Sequence, residues 1–293
     1  MAIQQRGRTA DGAALGRAIH LRYERPVVFA DDYALDLVSA SARFACRSPF
    51  LYRLLLRRGV APFRSFVAST LSAMRYIEER LSDAVHEGFT QYLVLGAGLD
   101  SFALRRLDLC ESLRVFEVDH PVTQTLKRKR IERFLGTPPA HLEFVPADFE
   151  CESLDEALAA SRFDPTARTL FSWIASIPYI EESSVHETFR SISRHATEGS
   201  EIVFNFGSWG TQTGPGGSGG VNEHLQRATR SRGEPLKSAF DPEALLQAVC
   251  EQGYQRVELL DGNAQTQRYF ADRSDGLHVV PGSQLAHVRR TDS

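Results

Sequence analysis

The stretch QYLVLGAGLDS, residues 91–101, decides the fold class of this chain. Its apolar half has the composition of a buried β-strand, and Gly96 and Gly98 follow where that strand ends. Glycines at this place let the backbone turn tightly and approach a ligand, and doubly wound sheets bind ligands at the carboxyl ends of their strands. The stretch therefore predicts such a sheet with a ligand site at the turn, although two glycines can also form a turn without a ligand.

The residues around the turn indicate the ligand. A dinucleotide-binding turn has a third glycine where this chain has Ser101. Asp100 would repel a pyrophosphate, whereas it suits S-adenosylmethionine, which carries an ammonium and a sulfonium group and no phosphate. We therefore expect Gly96, Gly98 and Asp100 to contact S-adenosylmethionine. The alternative enzyme class is an oxidoreductase that uses a nicotinamide cofactor.

The second predicted strand, residues 115–119, strengthens this interpretation. It ends in Asp119, roughly 20 residues after the glycines, where an acid can accept hydrogen bonds from ribose hydroxyls. A carboxylate that meets solvent at a strand end is the alternative for Asp119 alone. Together with the glycine turn, its position favours ribose binding.

The rest of the chain alternates short apolar runs with amphipathic stretches, which is typical of repeated β-α units. The predicted strands are residues 92–95, 115–119, 142–146, 169–175, 201–206, 256–260 and 285–289. The predicted helices are residues 64–85, 121–135, 181–195 and one that starts with Asp241 and Pro242 and ends at Gly253. We expect an α/β fold with a Rossmann-like, doubly wound and mostly parallel sheet.

The domain organisation follows from the same pattern. Residues 1–88 are expected to form an N-terminal helical segment that acts as a lid, and residues 89–293 the Rossmann-like core, in one compact unit. Residues 207–220, GSWGTQTGPGGSGG, contain too much glycine for a helix or strand. This loop is either a surface insertion or a mobile cover over a substrate site.

Composition excludes several functions. The formal net charge of -3 argues against nucleic acid as a partner, because binding phosphates needs a concentrated basic surface. No stretch approaches the roughly 20 apolar residues of a membrane span, so no membrane partner and a cytoplasmic location are expected. The four cysteines are too far apart for a metal or redox motif, so no metal site is expected: Cys46, Cys110, Cys151 and Cys250.

Several motifs together resemble one family. LGAGLDS at residues 95–101 and RVFEVDHP at residues 114–121 are similar to the glycine loop and second-strand motif of the leucine carboxyl methyltransferases and their bacterial relatives, which include polyketide O-methyltransferases. Met74-Arg75-Tyr76 resembles that family's arginine motif. ERPVVFADDYALDLV and RYFADRSDGL resemble its N-terminal and C-terminal stretches, so the likeness covers nearly the whole chain. It implies a class I methyltransferase fold and S-adenosylmethionine as cofactor.

The resemblance also implies roles for individual residues. Arg75 would pair with the methionine carboxylate. Gly96 would contact the methionine part, Asp119 the ribose, Asp148 and Phe149 the adenine, and Tyr179 would lie near the transferred methyl group. A basic residue near the amino terminus, either Arg17 or Arg22, would also contact the cofactor. The chain departs from the family pattern at Ile174, where a cofactor-binding glutamate is usual.

The expected reaction is methyl transfer from S-adenosylmethionine to a carboxylate or hydroxyl oxygen of a small molecule, in secondary metabolism. A carboxylate acceptor needs no general base, and none is assigned among His120, His186 and His224. A protein carboxyl group is a further candidate acceptor. Besides the oxidoreductase, the departure at Ile174 leaves a non-catalytic S-adenosylmethionine-binding relative as an alternative.

Overall fold

The chain folds around one seven-stranded sheet, seen in a computed structural model that describes residues 2–56, 64–148, 152–208 and 236–291. The strands are β1 (Gln91–Leu95), β2 (Arg114–Asp119), β3 (Leu142–Pro146), β4 (Thr169–Trp173), β5 (Glu201–Gly207), β6 (Tyr254–Leu260) and β7 (Ser283–Arg290). All seven predicted strands are confirmed, with ends that differ by two residues or fewer.

The strand order is β3-β2-β1-β4-β5-β7-β6. Strands β1 to β5 pair in parallel, and β7 runs antiparallel between β5 and β6. The order reverses between β1 and β4, the switch point at which such sheets bind ligands. Leu95 lies opposite Val118 and Trp173, so β1, β2 and β4 end at nearly the same level. The predicted doubly wound, mostly parallel α/β fold is confirmed.

Helices cover both faces of the sheet. They are α1 (Ala2–Tyr23), α2 (Ala34–Leu37), α3 (Ala40–Arg47), α4 (Pro49–Leu51), α5 (Arg64–His86), α6 (Phe102–Arg105), α7 (Leu107–Cys110), α8 (Pro121–Leu135), α9 (Leu154–Ala159), α10 (Glu182–His195), α11 (Pro242–Cys250) and α12 (Gly262–Phe270). A π-helical turn, Tyr52–Leu56, follows α4, and a 3-10 turn, Ile177–Tyr179, follows β4. No helix among the described residues is long and apolar enough to cross a bilayer.

Local sequence signals set several helix ends. Pro121 occupies the first turn of α8, and the His120 side chain accepts a hydrogen bond from the N–H of Val122 at 3.2 Å. Gly136 ends the helix with a φ of 83°. At α11, the Asp241 side chain accepts a hydrogen bond from Ala244 N–H at 2.9 Å, as its predicted role as N-cap requires.

The core lies on both faces because β1 alternates its side chains between them. Leu93 and Leu95 pack with residues of α9, α10 and α11, whereas Tyr92 and Val94 pack with residues of α1, α2, α5 and α8. All five residues of β1 and all five of β4 are buried, which explains why most of them are apolar.

The N-terminal helices share this core. Ala14 of α1 and Leu37 of α2 belong to the same buried cluster as Val94 and Val115 of the strands. The predicted boundary at residue 88 falls on Gly88, which has a φ of 88° in the turn between α5 and β1. Residues of α1, α2 and α5 are therefore buried in the same cluster as residues of the strands.

The structure corrects three details. β4 ends at Trp173 rather than at residue 175, because Ala175 has a φ of 58° that no strand tolerates. Gly207, predicted to begin the glycine-rich loop, is the last residue of β5 and pairs with Ser283. The rest of that loop from residue 209 onward lies outside the described residues. Helices α9 and α12 were not predicted.

A buried ionic network joins the helical segment to the sheet. Glu201 on β5 accepts hydrogen bonds from Arg80 at 2.6 Å, Arg289 at 2.7 Å and His287 Nε2 at 2.9 Å. Tyr76 contacts the other ring nitrogen of His287 at 2.9 Å. Burial opposes ionisation of Glu201, but the partners His287 and Arg80 prevail and lower its pKa to about 2. This carboxylate is therefore ionised and fully paired.

Candidate functional site

A cavity of about 770 Å³ opens at the carboxyl ends of β1 to β4. The turn after β1 lines it with Gly96, Gly98 and Asp100, and the ends of β2 and β3 add Asp119 and Asp148. With Tyr179, which also lines the cavity, the structure brings together six of the eight predicted site residues. Phe149 and His224 lie outside the described residues.

The glycine turn has the backbone that the sequence predicts. Gly96 and Gly98 have φ values of 64° and 52°, in the left-handed region that favours glycine. A Cβ atom on Gly96 would lie 2.9 Å from Ser176 Oγ. The N–H of Gly96 donates to the carbonyl of Val118 at 2.9 Å, which ties the turn to β2. The turn therefore lies so close to the segment after β4 that no Cβ atom fits between Gly96 and Ser176.

Asp119 holds the same turn from the neighbouring strand. Its carboxylate accepts hydrogen bonds from the N–H of Gly98 at 2.5 Å and of His120 at 2.6 Å. Burial raises the pKa of Asp119, although both backbone donors favour the ionised form. Each carboxylate oxygen has two lone-pair positions, so ribose hydroxyls can bind in addition to these donors.

Asp100 and Asp148 complete the acidic lining. Asp100 accepts a hydrogen bond from the N–H of Phe102 at 2.7 Å, which starts the short helix α6. Asp148 lies 3.4 Å from His120 Nε2. Both residues line the cavity beside the turn, and their charge suits a cationic ligand.

Arg75 does not reach the site, which corrects the prediction made from the arginine motif. Met74 and Ile77 on the same helix are buried and line the cavity. One helical residue corresponds to a rotation of about 100°, so Arg75 is turned away from them. Its side chain is 51% exposed and pairs with Glu79 at 2.6 Å.

Arg17 on α1 occupies the cavity instead. It is 4% exposed, and its guanidinium donates to Asp31 at 2.7 Å and to the carbonyl of Leu99, in the glycine turn, at 2.6 Å. Burial disfavours an ionised Asp31, yet the guanidinium groups of Arg17 and Arg105 lower its pKa. Arg22, the other basic candidate, contacts Tyr23 and the carbonyl of Arg47 on the surface. Of the two arginines that the sequence left open, Arg17 lines the cavity and Arg22 does not.

The segment after β4 lines the third side of the cavity. Ile174, at the position of the family's glutamate, lies there beside Ala175, and the N–H of Ala175 donates to Asn205 Oδ1 at 2.7 Å. A left-handed conformation is strained for alanine, and this hydrogen bond holds it. Ser176 and Tyr179 follow and also line the cavity. The sequence did not predict roles for Asn205 and Ser176. For Asn205, the signal in the sequence is a single amide side chain within the apolar strand β5.

A second part of the cavity is apolar. Phe66, Thr70, Met74 and Ile77 lie at helical spacing on α5 and line it together with Ile180. Thr70 donates to the carbonyl of Phe66 at 3.3 Å, which satisfies its hydroxyl. This part can therefore hold an apolar molecule.

Lys237 lines the cavity near Tyr179. Its N–H donates to the carbonyl of Pro178 at 2.7 Å, and its ammonium group lies 3.3 Å from Glu181. The backbone of Lys237 is thus fixed at the segment that carries Tyr179.

The charges of the site fit S-adenosylmethionine. The cavity is lined by five carboxylates and two strongly basic side chains: Glu78, Asp100, Asp119, Asp148 and Glu181, with Arg17 and Lys237. Glu78 pairs with Arg105, and Glu181 pairs with Lys237. The remaining carboxylates, Asp100, Asp119 and Asp148, suit a ligand with an ammonium and a sulfonium group. No group of metal-binding side chains occurs among the residues that the structure describes. The fold and the site together define a class I S-adenosylmethionine-dependent methyltransferase.

Comparisons with known proteins agree. The family model of leucine carboxyl methyltransferase matches residues 10–193. The chain is 30% identical over 291 residues to YktD of Bacillus subtilis, named as an S-adenosyl-L-methionine-dependent methyltransferase, covering 94% of this chain and 95% of that protein. A Mycolicibacterium smegmatis protein of the same description is 28% identical, with coverages of 97% and 86%. This chain therefore belongs to the leucine carboxyl methyltransferase family, and it is an S-adenosylmethionine-dependent methyltransferase.

Two solved structures share the fold. A DUF574 family protein from Streptomyces avermitilis superposes with a TM-score of 0.60 at 18% identity, covering 95% of this chain and 97% of that one. A Thermobifida fusca protein described as a methyltransferase gives a TM-score of 0.56 at 17% identity, with coverages of 96% and 94%. At these identities the similarity concerns the fold alone.

Proposed function

We propose that this methyltransferase transfers the methyl group to an oxygen atom of a small apolar molecule, and that the acceptor group is a carboxylate. The observation that carries the proposal is the cavity, which continues from the glycine turn to the apolar stripe of α5 within about 770 Å³. Small-molecule sites typically have a volume of about 300–1,000 Å³. A protein carboxyl terminus would require an open groove instead. The role in secondary metabolism and the cytoplasmic location remain part of this proposal.

The chain's residues hold the cofactor in the following way. Arg17 binds the methionine carboxylate, in place of Arg75, because its guanidinium lies in the cavity beside Leu99. Asp119 accepts hydrogen bonds from the ribose, and Asp148 from the adenine amino group. When bound, S-adenosylmethionine would supply an electrophilic methyl group on its sulfonium sulfur, and the neutral thioether S-adenosylhomocysteine would be the leaving group.

The acceptor side consists of Tyr179, Lys237 and the stripe on α5. The apolar side chains exclude water, and Tyr179 orients the acceptor oxygen toward the methyl group. Lys237 supplies the positive charge that an acceptor carboxylate requires. A carboxylate is already ionised at neutral pH and needs no base. The imidazole of His120, which follows β2, lies 3.4 Å from Asp148, so no role as a base for the acceptor is assigned to it.

A product assay tests this proposal. The purified protein is incubated with methyl-labelled S-adenosylmethionine and two acceptor panels, apolar carboxylic acids and phenols of matched size. We expect labelled methyl esters, recognised because treatment with base hydrolyses them. In Lys237→Met, the KM for carboxylic acids should be higher. Transfer only to phenols, nitrogen or sulfur, with no carboxylate product, would refute the proposed acceptor.

Tyr179→Phe separates orientation from packing. The variant is expected to lower kcat about tenfold while leaving cofactor affinity unchanged, since only the hydroxyl is lost. Tyr254→Phe is the matched control, because that buried tyrosine lies on β6 away from the cavity. Equal kcat values for both variants would reduce Tyr179 to a packing residue.

A further inference from the structure

An exposed apolar and basic surface lies on the N-terminal helices, outside the cavity. Phe44 on α3 and Phe50 on α4 are each 70% exposed, and Leu54 in the following π-helical turn is 54% exposed. Arg47 and Arg53 are exposed between them. These five residues are called the N-terminal patch. They include three of the six large hydrophobic side chains that are exposed in the described part of the chain.

The sequence around the patch is strongly cationic. Residues 37–77 contain seven arginines and no aspartate or glutamate, a formal charge of +7 in a chain whose total is -3. Three of these arginines pair with carboxylates outside the range: Arg43 with Asp36, Arg64 with Asp275 and Arg75 with Glu79. In the described part of this range, the exposed Arg47 and Arg53 are therefore the ones whose positive charge is available to attract an anionic surface.

Contacts with α1 hold the N-terminal patch in place. Cys46, between Phe44 and Arg47 of α3, is fully buried against α1. Tyr52 stacks on Tyr23 of α1, with ring centroids 3.9 Å apart, and the Tyr23 hydroxyl donates to the carbonyl of Cys46 at 2.6 Å. The inner side of this segment is therefore attached to α1, so its outer side chains project from a firm base.

We propose that the N-terminal patch binds the surface of an anionic phospholipid bilayer. Arginines attract acidic headgroups, and phenylalanine and leucine side chains between them bury in the interface. A second copy of the chain is a poor partner, because an isologous contact would oppose two surfaces of the same charge. The expectation of no membrane partner came from the missing spanning segment, which a peripheral contact does not require.

Vesicle co-sedimentation of the full chain tests the proposal. Vesicles of phosphatidylcholine alone are compared with vesicles that also contain phosphatidylglycerol, over a series of NaCl concentrations. We expect binding to the anionic vesicles, with an affinity that falls as salt rises. Arg47→Ala and Arg53→Ala should each weaken binding on the order of fivefold. Arg190→Ala, a similarly exposed arginine on α10, is the control and should bind like the unmodified protein.

The apolar contribution has its own matched control. Leu54→Ser should weaken vesicle binding, whereas Leu107→Ser, at the same 54% exposure, should not. S-adenosylmethionine affinity should be unchanged in both, since neither leucine lines the cavity, and this verifies folding. The proposal is wrong if the protein does not bind anionic vesicles, or if both leucine variants weaken vesicle binding equally. It is also wrong if the patch variants leave vesicle binding unchanged and abolish binding to duplex DNA or self-association. None of these results depends on methyl transfer.

Discussion

The variant Gly96→Ala tests whether the glycine turn after β1 binds the cofactor. Alanine at a φ of 64° is disfavoured by roughly 1–2 kcal/mol. The new Cβ would lie 2.9 Å from Ser176 Oγ and 3.1 Å from Ser176 Cβ, so the segment after β4 must shift. Because Ser176 lines the same cavity, this shift reduces the space for the methionine part of the cofactor.

Gly88→Ala provides the control for backbone strain. Gly88 has a φ of 88°, and a Cβ there would meet no atom within 4 Å. Gly88→Ala should therefore lose roughly 1–2 kcal/mol of unfolding free energy in urea titrations, and Gly96→Ala at least as much, because it adds the contact with Ser176 to the same backbone strain. Only Gly96→Ala should weaken S-adenosylmethionine binding in calorimetry, by at least about tenfold, or roughly 1.4 kcal/mol. If Gly96→Ala binds the cofactor as tightly as Gly88→Ala, the glycine turn is not the cofactor site.

Three further predictions follow from the site and from the buried network. Asp119→Ala should weaken S-adenosylmethionine binding in calorimetry and lower the unfolding free energy by about 1–3 kcal/mol, because two backbone N–H groups lose their acceptor. Arg17→Lys should weaken cofactor binding on the order of tenfold, since a lysine cannot form the bidentate contact, whereas Arg75→Ala should leave the affinity unchanged. The unfolding free energy should fall as the pH drops from 4.5 toward 2, because the folded-state pKa of Glu201 is lowered from 4.5 to about 2 and protonation removes its ion pairs. In Glu201→Gln, urea denaturation should show a weaker dependence of the unfolding free energy on pH in that range.

The opposite results would contradict each of these predictions separately. Wild-type affinity in Asp119→Ala would remove the ribose role. Weaker cofactor binding in Arg75→Ala than in Arg17→Lys would restore the interpretation made from the arginine motif. An unchanged pH dependence in Glu201→Gln would mean that other carboxylates control acid unfolding.

The sequence predicted the sheet well because its signals are local. The apolar run before Gly96 and the acid at Asp119 identify two strands and their ends without knowledge of tertiary contacts. Short helices such as α9 were missed because six residues show little periodicity. Its capping box, Ser153 with Glu156, was the readable signal.

Side-chain direction was harder to predict than position along the chain. The motif that contains Arg75 was recognised, but a shift of one helical residue decides whether a side chain faces the cavity or the solvent. The choice between Arg17 and Arg22 depends on how α1 packs over the glycine turn, a contact between distant parts of the sequence. The strain at Ala175 likewise depends on Asn205, which lies on another strand. These features follow from tertiary structure and leave only weak traces in the sequence.

A crystal structure of the protein with S-adenosylhomocysteine tests the central claim most directly. The account predicts that the ribose hydroxyls contact Asp119, that the amino-acid carboxylate contacts Arg17, and that the sulfur faces Tyr179 across the glycine turn. A ligand bound outside this cavity, or one whose carboxylate pairs with Arg75, would contradict it.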